Sequence, residues 1–292
     1  MNNFQEYLQP KSLQEALQDL STAAGSVAVV AGGTDLLLDL RQGRHPAVQR
    51  LVDVSGIKSL SEIKQEGEQI FLGAGVTHKE IISDPLLNEH AHCVVEGCGL
   101  IGGPQVRNVA TIGGNVAHAL PAGDGTIALL ALETEVQLVT AQGSTWQPLI
   151  EIFAGPGKVN FDRRKVLVGG FRFSLKGERE GSAFHRVMRP QGVAIAILNM
   201  AAWLKLGPDG GVEKTRISCG PAGPTPFRAY ETEEFLIGKK WDEAVCKDAV
   251  EVLAGEVSLR TSAHRATKEY RHKLLPVLLE KVIEKAIQRA DH

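Results

Sequence analysis

The sequence predicts a two-domain protein of the α/β class, and three observations carry that prediction. The N-terminal half alternates β-branched runs with amphipathic helical stretches. Glycine is in excess, 31 residues where an average of roughly 7% gives about 20, and it recurs in pairs that close apolar runs. A polar, glycine-flanked stretch, Lys176 to Gly181, has no apolar anchor and divides a chain whose 292 residues suit about two domains of roughly 150 each.

Ser12-Leu-Gln-Glu15 has the form of a capping box, and Leu13, Leu17 and Leu20 follow at helical spacing, so a short helix is expected from about 12 to 21. Val27 to Ala31 reads as a strand that runs into Gly32-Gly33-Thr34-Asp35, after which Leu36 to Leu40 is apolar again. Arg50 to Val54 and Ile70 to Ala74 read as further strands. Thr77-His-Lys-Glu80 caps a helix that Asp84-Pro85 stops. Ala110 to Asn115 reads as a second glycine turn, followed by a helix through about Leu132 and strands at Val136 to Thr140 and Val166 to Phe173. Beyond the polar stretch, Ala183 to Met188 alternates, while Asn199 to Leu206 and Lys214 to Cys219 read as strands. The tail from about Ala263 reads as helix, with Pro276 kinking or restarting it and Leu274, Leu275, Leu278, Leu279, Val282, Ile283 and Ile287 forming a core stripe.

Charge and composition exclude several classes. Thirty-two basic against 34 acidic side chains leave a formal charge of -2, which disfavours nucleic acid and anionic membrane as partners. The most apolar run, Val193 to Leu204, is far shorter than the roughly 20 residues of a membrane span. The N-terminus has no secretory signal pattern, so a soluble cytoplasmic protein with free thiols is expected from its four scattered cysteines.

The two glycine turns share a design that suits phosphate: backbone amides unshielded by Cβ atoms, beside hydroxyl, amide or carboxylate side chains. One such turn is more often a hairpin or a cap, and two matched turns shift the balance toward a site. Neither has the P-loop's Lys-Ser/Thr ending. Gly97-Cys-Gly99-Leu-Ile-Gly102 matches G-x-G-x-x-G literally, but its context argues against a Rossmann turn: Cys93-Val-Val is only a short feeder strand, and Pro104 opposes a helix running on from Gly102. His90, His92, Cys93 and Cys98 crowd together without matching a common zinc frame, and Cys219 and Cys246 read as small core residues. The remaining histidines, His264 among them, lie without motif context.

At Val29-Val-Ala-Gly-Gly-Thr-Asp-Leu36 and at Val106-Arg-Asn-Val-Ala-Thr-Ile-Gly-Gly-Asn-Val-Ala-His-Ala-Leu-Pro-Ala-Gly-Asp124, the chain closely resembles the FAD-binding medium subunits of molybdenum hydroxylases, the xanthine dehydrogenase and carbon monoxide dehydrogenase family. Pro226 to Phe235 and Thr261 to Arg271 are similar to that family's C-terminal domain, so the resemblance spans essentially the whole chain. It implies a two-lobed FAD-binding domain of the vanillyl-alcohol-oxidase and CO-dehydrogenase-flavoprotein type over 1–177, its lobes split near 57, and a smaller α/β domain over 178–292. It implies that the backbone of Ala31, Gly32, Gly33, Thr34, Asp35 and Leu36, with that of Thr111, Ile112, Gly113, Gly114 and Asn115, holds the FAD pyrophosphate, that Val29 and Val30 also bind the cofactor, and that Asp124 hydrogen-bonds it. It further implies Ile101 beside the isoalloxazine, where xanthine dehydrogenases often have an aromatic residue, Val168 as an apolar neighbour, and His185 in place of a lysine.

By the same resemblance, a molybdopterin subunit hydroxylates a substrate, a second subunit with two [2Fe-2S] clusters relays electrons, and this chain's FAD delivers them to NAD+ or another acceptor, the whole forming a dimer of heterotrimers. No side chain is expected to act as acid or base. The [4Fe-4S] variant of the flavoprotein is not expected, since its four-cysteine loop is absent. The alternative is a free-standing flavin oxidase or dehydrogenase with its own small substrate. A flavin-free binding protein fits less well, because the glycine turns, Asn115 and Asp124 are intact.

Overall fold

The structure, a computed structural model, describes residues 4–189, 195–263 and 265–291; His264 and the first two residues of the Val193 to Leu204 run lie outside them. The chain opens with β1 (Glu6–Leu8), α1 (Leu13–Ser21), β2 (Val27–Val30), α2 (Leu36–Arg41) and β3 (Arg50–Asp53). The three strands form a parallel sheet in the order β1-β3-β2. α1 starts where the capping pattern places it: Ser12 accepts from Glu15 N at 3.1 Å, and the Glu15 carboxylate takes Lys11 N at 2.7 Å.

A second sheet follows, antiparallel throughout, in the order β4-β5-β10-β6-β7. Its strands are β4 (Ile63–Glu66), β5 (Gln69–Gly73), β6 (Glu135–Thr140), β7 (Gly143–Pro148) and, after a small hairpin of β8 (Phe153–Gly155) and β9 (Lys158–Val159), β10 (Leu167–Ser174). Between β5 and β6 come α3 (His78–Ser83), α4 (Pro85–His90), α5 (His92–Gly99), α6 (Pro104–Arg107), α7 (Ile112–Ala117) and α8 (Asp124–Ala131). The Thr77 capping box is complete, and Asp84 ends α3 and caps α4 with Pro85 in its first turn.

Three expectations here need correction. Cys93-Val-Val is not a feeder strand but part of α5, whose Cys93, Val94, Gly97 and Cys98 are buried at helical spacing. The literal G-x-G-x-x-G therefore closes a helix, and Gly102 at φ +52° turns the chain out of it. Gly113 and Gly114 lie in the first turn of α7 rather than in a turn, and the helix expected through Leu132 is broken at Ala119 to Gly123 into α7 and α8. α8 is buried on every side, which is why its sequence shows no amphipathic period.

The last third forms an antiparallel sheet in the order β11-β12-β13-β14, from β11 (Glu180–Val187), β12 (Leu198–Leu206), β13 (Val212–Gly220) and β14 (Phe227–Arg228). α9 (Tyr230–Leu236), α10 (Glu243–Glu256) and α11 (Lys268–Ala290) complete the chain. α5 and α8 cover one face of this sheet and α11 the other. Covered on both sides, β12 is buried almost continuously and β11 through Gly181 to Phe184, instead of alternating. α11 starts at Lys268, later than the expected 263, and passes through Pro276 unbroken, its buried stripe from Leu274 to Ala286 holding it to β11 and β12.

The seam between α5 and α11 is polar. Glu96 of α5 accepts from Arg289 Nη2 at 2.7 Å, from Lys285 Nζ at 2.5 Å and from the main-chain N–H of Phe184 at 2.9 Å. Burial alone raises a carboxyl pKa, but these donors outweigh it and hold Glu96 below the usual range.

Candidate cofactor-binding site

The parallel strand β2 ends at buried Val30, and the chain turns through Ala31 to Asp35 into α2, at the carboxyl end of the strand where open α/β sheets bind ligands. Gly33 sits at φ +66°, a conformation only glycine adopts without strain. The main-chain N–H groups of Gly32, Gly33, Thr34, Asp35 and Leu36 find no acceptor among the described residues, and the Asp35 side chain caps nothing. Five successive unspent amides form a concavity suited to an anion.

Gly32 is held against the segment that leads to Thr111. A Cβ there would lie 2.0 Å from the Val109 carbonyl oxygen, so the two loops touch backbone to backbone. At the far end of the same segment His118 Nδ1 stands 3.7 Å from Asp35 Oδ2. The expected pair of phosphate loops is therefore brought together, but only the first has amides to offer. Ile112 N donates to Val76 O at 3.0 Å, Gly113 N to Ala74 O at 2.8 Å, Gly114 N to Thr111 Oγ1 at 3.1 Å and Asn115 N to Thr111 O at 3.0 Å. What the second segment presents is bare backbone. A Cβ on Gly114 would meet a single neighbour, Thr111 Oγ1 at 3.1 Å, and otherwise open space. Thr126 donates to Asn115 Oδ1 through both N and Oγ1 at 3.0 Å, which orients the amide and leaves its Nδ2 without a partner among the described residues. Unspent amides on one side and an uncovered glycine on the other fit a pyrophosphate.

An open groove of about 340 Å³ adjoins Ala31, lined by Val30, Leu37, Leu40 and Leu51 with Tyr7, Arg41 and Asp53 at its polar edge. Tyr7 donates its hydroxyl to Asp53, and Ser55 N donates to the same carboxylate at 2.9 Å.

Asp124 opens α8 and is 5% exposed. Its carboxylate pairs with Arg186 and accepts from Asn199 Nδ2 at 2.6 Å. Burial pushes its pKa up, against the pull of Arg186 and Asn199. Asp124 thus ties the middle of the chain to β11 and β12. The other end of Arg186 donates Nη2 to Leu100 O at 2.5 Å and so fixes the chain just before Ile101, whose own carbonyl takes Arg107 Nη1 at 3.0 Å. Val168 is half-buried in β10 beside a β-bulge. His185 points the other way from Arg186, as alternation in a strand requires. Its neighbours Ala183 and Val187 pack on the α11 side, Phe184 packs on the α5 side, and burial with Lys281 and Lys285 of α11 lowers the His185 pKa. Arg186 is the residue missed in the sequence; only its place in the strand, one position from His185, pointed to it.

Of the crowded His90, His92, Cys93 and Cys98, all but His92 have other occupations. His90 Nδ1 accepts from Lys176 N at 3.2 Å. Cys93 and Cys98 are fully buried, and burial raises the Cys93 thiol pKa to about 12. Among the described residues no three potential ligands gather as a metal centre.

Comparison with known proteins follows the same two parts. Residues 2–169 match the family described as FAD binding domain in molybdopterin dehydrogenase, and residues 182–286 match the CO dehydrogenase flavoprotein C-terminal domain. A putative xanthine dehydrogenase FAD-binding subunit of Escherichia coli (strain K12) is 28% identical over 292 residues, covering 99% of this chain and 98% of that protein. The carbon monoxide dehydrogenase medium chain of Hydrogenophaga pseudoflava is 29% identical over 249 residues, 85% of this chain and 84% of the other. A chain of the solved carbon monoxide dehydrogenase from H. pseudoflava superposes with a TM-score of 0.92 at 25% identity, covering 99% of both. Quinoline 2-oxidoreductase from Pseudomonas putida 86 gives a TM-score of 0.89 at 25% identity, over 99% and 98% of the two chains.

Proposed function

The chain belongs to the FAD-binding proteins of the molybdopterin dehydrogenases, and from that premise we propose that it is the electron-transfer subunit of a molybdenum hydroxylase complex, set between a partner's [2Fe-2S] clusters and NAD+ or another acceptor. The cofactor is FAD, and the chain is an oxidoreductase subunit of the xanthine and carbon monoxide dehydrogenase type. Bound FAD supplies acceptance of electrons one at a time and their release as a pair.

The protein's own part is to hold and orient. The amides of Gly32 to Leu36 bind the pyrophosphate, with Val29, Val30 and Ala31 carrying the loop on its strand. Thr111, Ile112 and Gly113 fix α7 by their internal hydrogen bonds so that Gly114 lets the cofactor approach and Asn115 donates from Nδ2. The groove beside Ala31, apolar with a polar edge, takes the adenosine end. Asp124 acts through Arg186, whose grip on Leu100 sets Ile101 beside the ring system. Val168 supplies an apolar wall, and His185 acts at longer range, from the far face of β11. The FAD-binding part spans 1–177, its lobes dividing near 57, and the second domain spans 178–292.

The single observation that carries this reading is the run of five unspent amides in a loop packed backbone to backbone on the segment that leads to the uncovered Gly114. The partners in the reading are a molybdopterin-binding large subunit and a [2Fe-2S] small subunit, doubled into a dimer of heterotrimers. The cytoplasm is the place proposed for them, and no described helix is long and apolar enough to cross a membrane. Non-denaturing purification from the native cell tests it: molybdenum and iron should co-elute with this chain, and NADH or another acceptor couple should exchange electrons with the bound flavin. A chain that elutes alone and turns over a small substrate by itself would establish the free-standing flavin enzyme instead.

A further inference from the structure

The glycine loop that offers five amides to an anion also carries a carboxylate. Asp35 belongs to that run of amides and its side chain caps nothing, so a pyrophosphate seated on the loop brings two negative charges close to a third. Among the described residues the one ion-pair partner of Asp35 is His118, whose Nδ1 stands 3.7 Å from Oδ2. An imidazole ordinarily changes its charge between about pH 5 and 8, so the contact is an ion pair only when a proton is on the ring.

The backbone holds His118 in place for this contact. His118 N donates to Gly114 O at 3.0 Å, and the chain leaves α7 at Ala119, φ +55°. On one flank Arg163 Nη2 donates to Ala117 O at 2.6 Å, and on the other Gly157 N donates to Ala119 O at 2.9 Å. Gly114 and His118, four residues apart on helical backbone, share a face. The uncovered glycine and the imidazole are therefore neighbours along the segment on which the loop is packed, Gly32 touching that segment at Val109 and Asp35 meeting it at His118. The other charged groups on α2 and on the hairpin and turn flanking His118 are engaged or exposed: Asp39 pairs with Arg44 at 2.8 Å, Asp162 lies 3.8 Å from Lys165, Arg163 donates to carbonyls, and Arg41 and Lys158 face solvent.

We propose that His118 takes up a proton from solvent when the cofactor's pyrophosphate binds, which makes it a positioning residue that neutralises Asp35 inside the phosphate site. The proposal rests on the assignment of the glycine loop to FAD. With a neutral ring, the Asp35 carboxylate and the pyrophosphate repel each other across the loop; with an imidazolium between the two segments, the carboxylate is balanced and the amides act unopposed. Because the complex holds one proton more than its separated parts, affinity for FAD rises as pH falls through the range in which an imidazole is protonated.

Equilibrium dialysis of the FAD-loaded full chain at constant ionic strength gives the dissociation constant at each pH. The parent should bind FAD about threefold or more tightly at about pH 6 than at about pH 8. His118→Gln should flatten that profile. Asp35→Asn should bind FAD more tightly than the parent at about pH 8, the reverse of what loss of a merely structural contact does. Calorimetry of FAD binding at about pH 7 in two buffers of unlike ionisation enthalpy reads the proton directly, and the buffer dependence should disappear in His118→Gln. A chain that binds no FAD at either pH would overturn the cofactor assignment and this proposal together. Equal affinity at the two pH values, a His118→Gln profile as steep as the parent's, or weaker binding by Asp35→Asn at about pH 8 would overturn the proposal and leave the cofactor assignment standing.

Discussion

The glycines of the two loops look interchangeable in the sequence and have different reasons to be glycine. Gly32 is excluded from change by its own fold, because a Cβ would lie 2.0 Å from Val109 O and 2.7 Å from Ala110 Cα. Gly114 is held by nothing comparable, and its missing side chain leaves space for a ligand. Gly32→Ala should therefore destabilise the protein by roughly 1–3 kcal/mol, read as a lower urea midpoint, and lose FAD as a consequence. Gly114→Val should keep the unfolding free energy, read from urea titration, within about 1 kcal/mol of the parent and weaken FAD by about tenfold or more. Equal FAD affinity in Gly114→Val and the parent would remove that glycine from the site. The sequence showed both loops as candidates and could not show which had amides to spare. That depends on Ala74 and Val76, which take the amides of Gly113 and Ile112 from a distant part of the chain. The choice between His185 and Arg186 was equally hidden, since it rests on which face of β11 each of its neighbours covers.

Among the elements, those with local signals were legible: α1 and α3 begin at the hydroxyl caps Ser12 and Thr77, and β2 ends at its glycine pair. α5 was not, because Cys93, Val94 and Val95 look like a strand until β11 and α3 are packed against them. α11 survives Pro276 for a similar reason, tertiary burial on β11 and β12 outweighing a local penalty of about 3 kcal/mol. At the start of α3, buried His78 has no partner at Nδ1 among the described residues, and burial with nearby Arg107 lowers its pKa from 6.5 to about 4. Between those values the unfolded chain binds a proton that the folded one refuses, so stability rises with pH across that window. Acidification from neutral pH to pH 4 should cost up to roughly 3 kcal/mol from this residue. Urea midpoints measured against pH should fall less steeply in His78→Gln, and identical slopes would show that the imidazole is already protonated in the fold. Glu96 acts in the same sense lower down: with its folded pKa depressed, its tie between α5 and α11 is full above its ordinary range and lost as pH falls through the folded value.

At the scale of the molecule, an alternating N-terminal half and a second unit past the polar stretch were readable from pattern. The antiparallel character of two of the larger sheets was not, because strand pairing between β5 and β10 or β11 and β12 leaves no local trace. The flavin assignment came from two long ordered motifs, and a glycine pair alone would have supported only a generic anion loop. Asp124, Asn199 and Arg186 then tie the two parts together: α8, a helix from the first half, presents a carboxylate to two strands of the second. The most direct measurement is the visible spectrum of the purified full chain, followed by denaturation and chromatographic identification of the released chromophore. The account predicts stoichiometric FAD. A colourless chain that takes up no added FAD, whether expressed alone or together with its neighbouring genes, would contradict it.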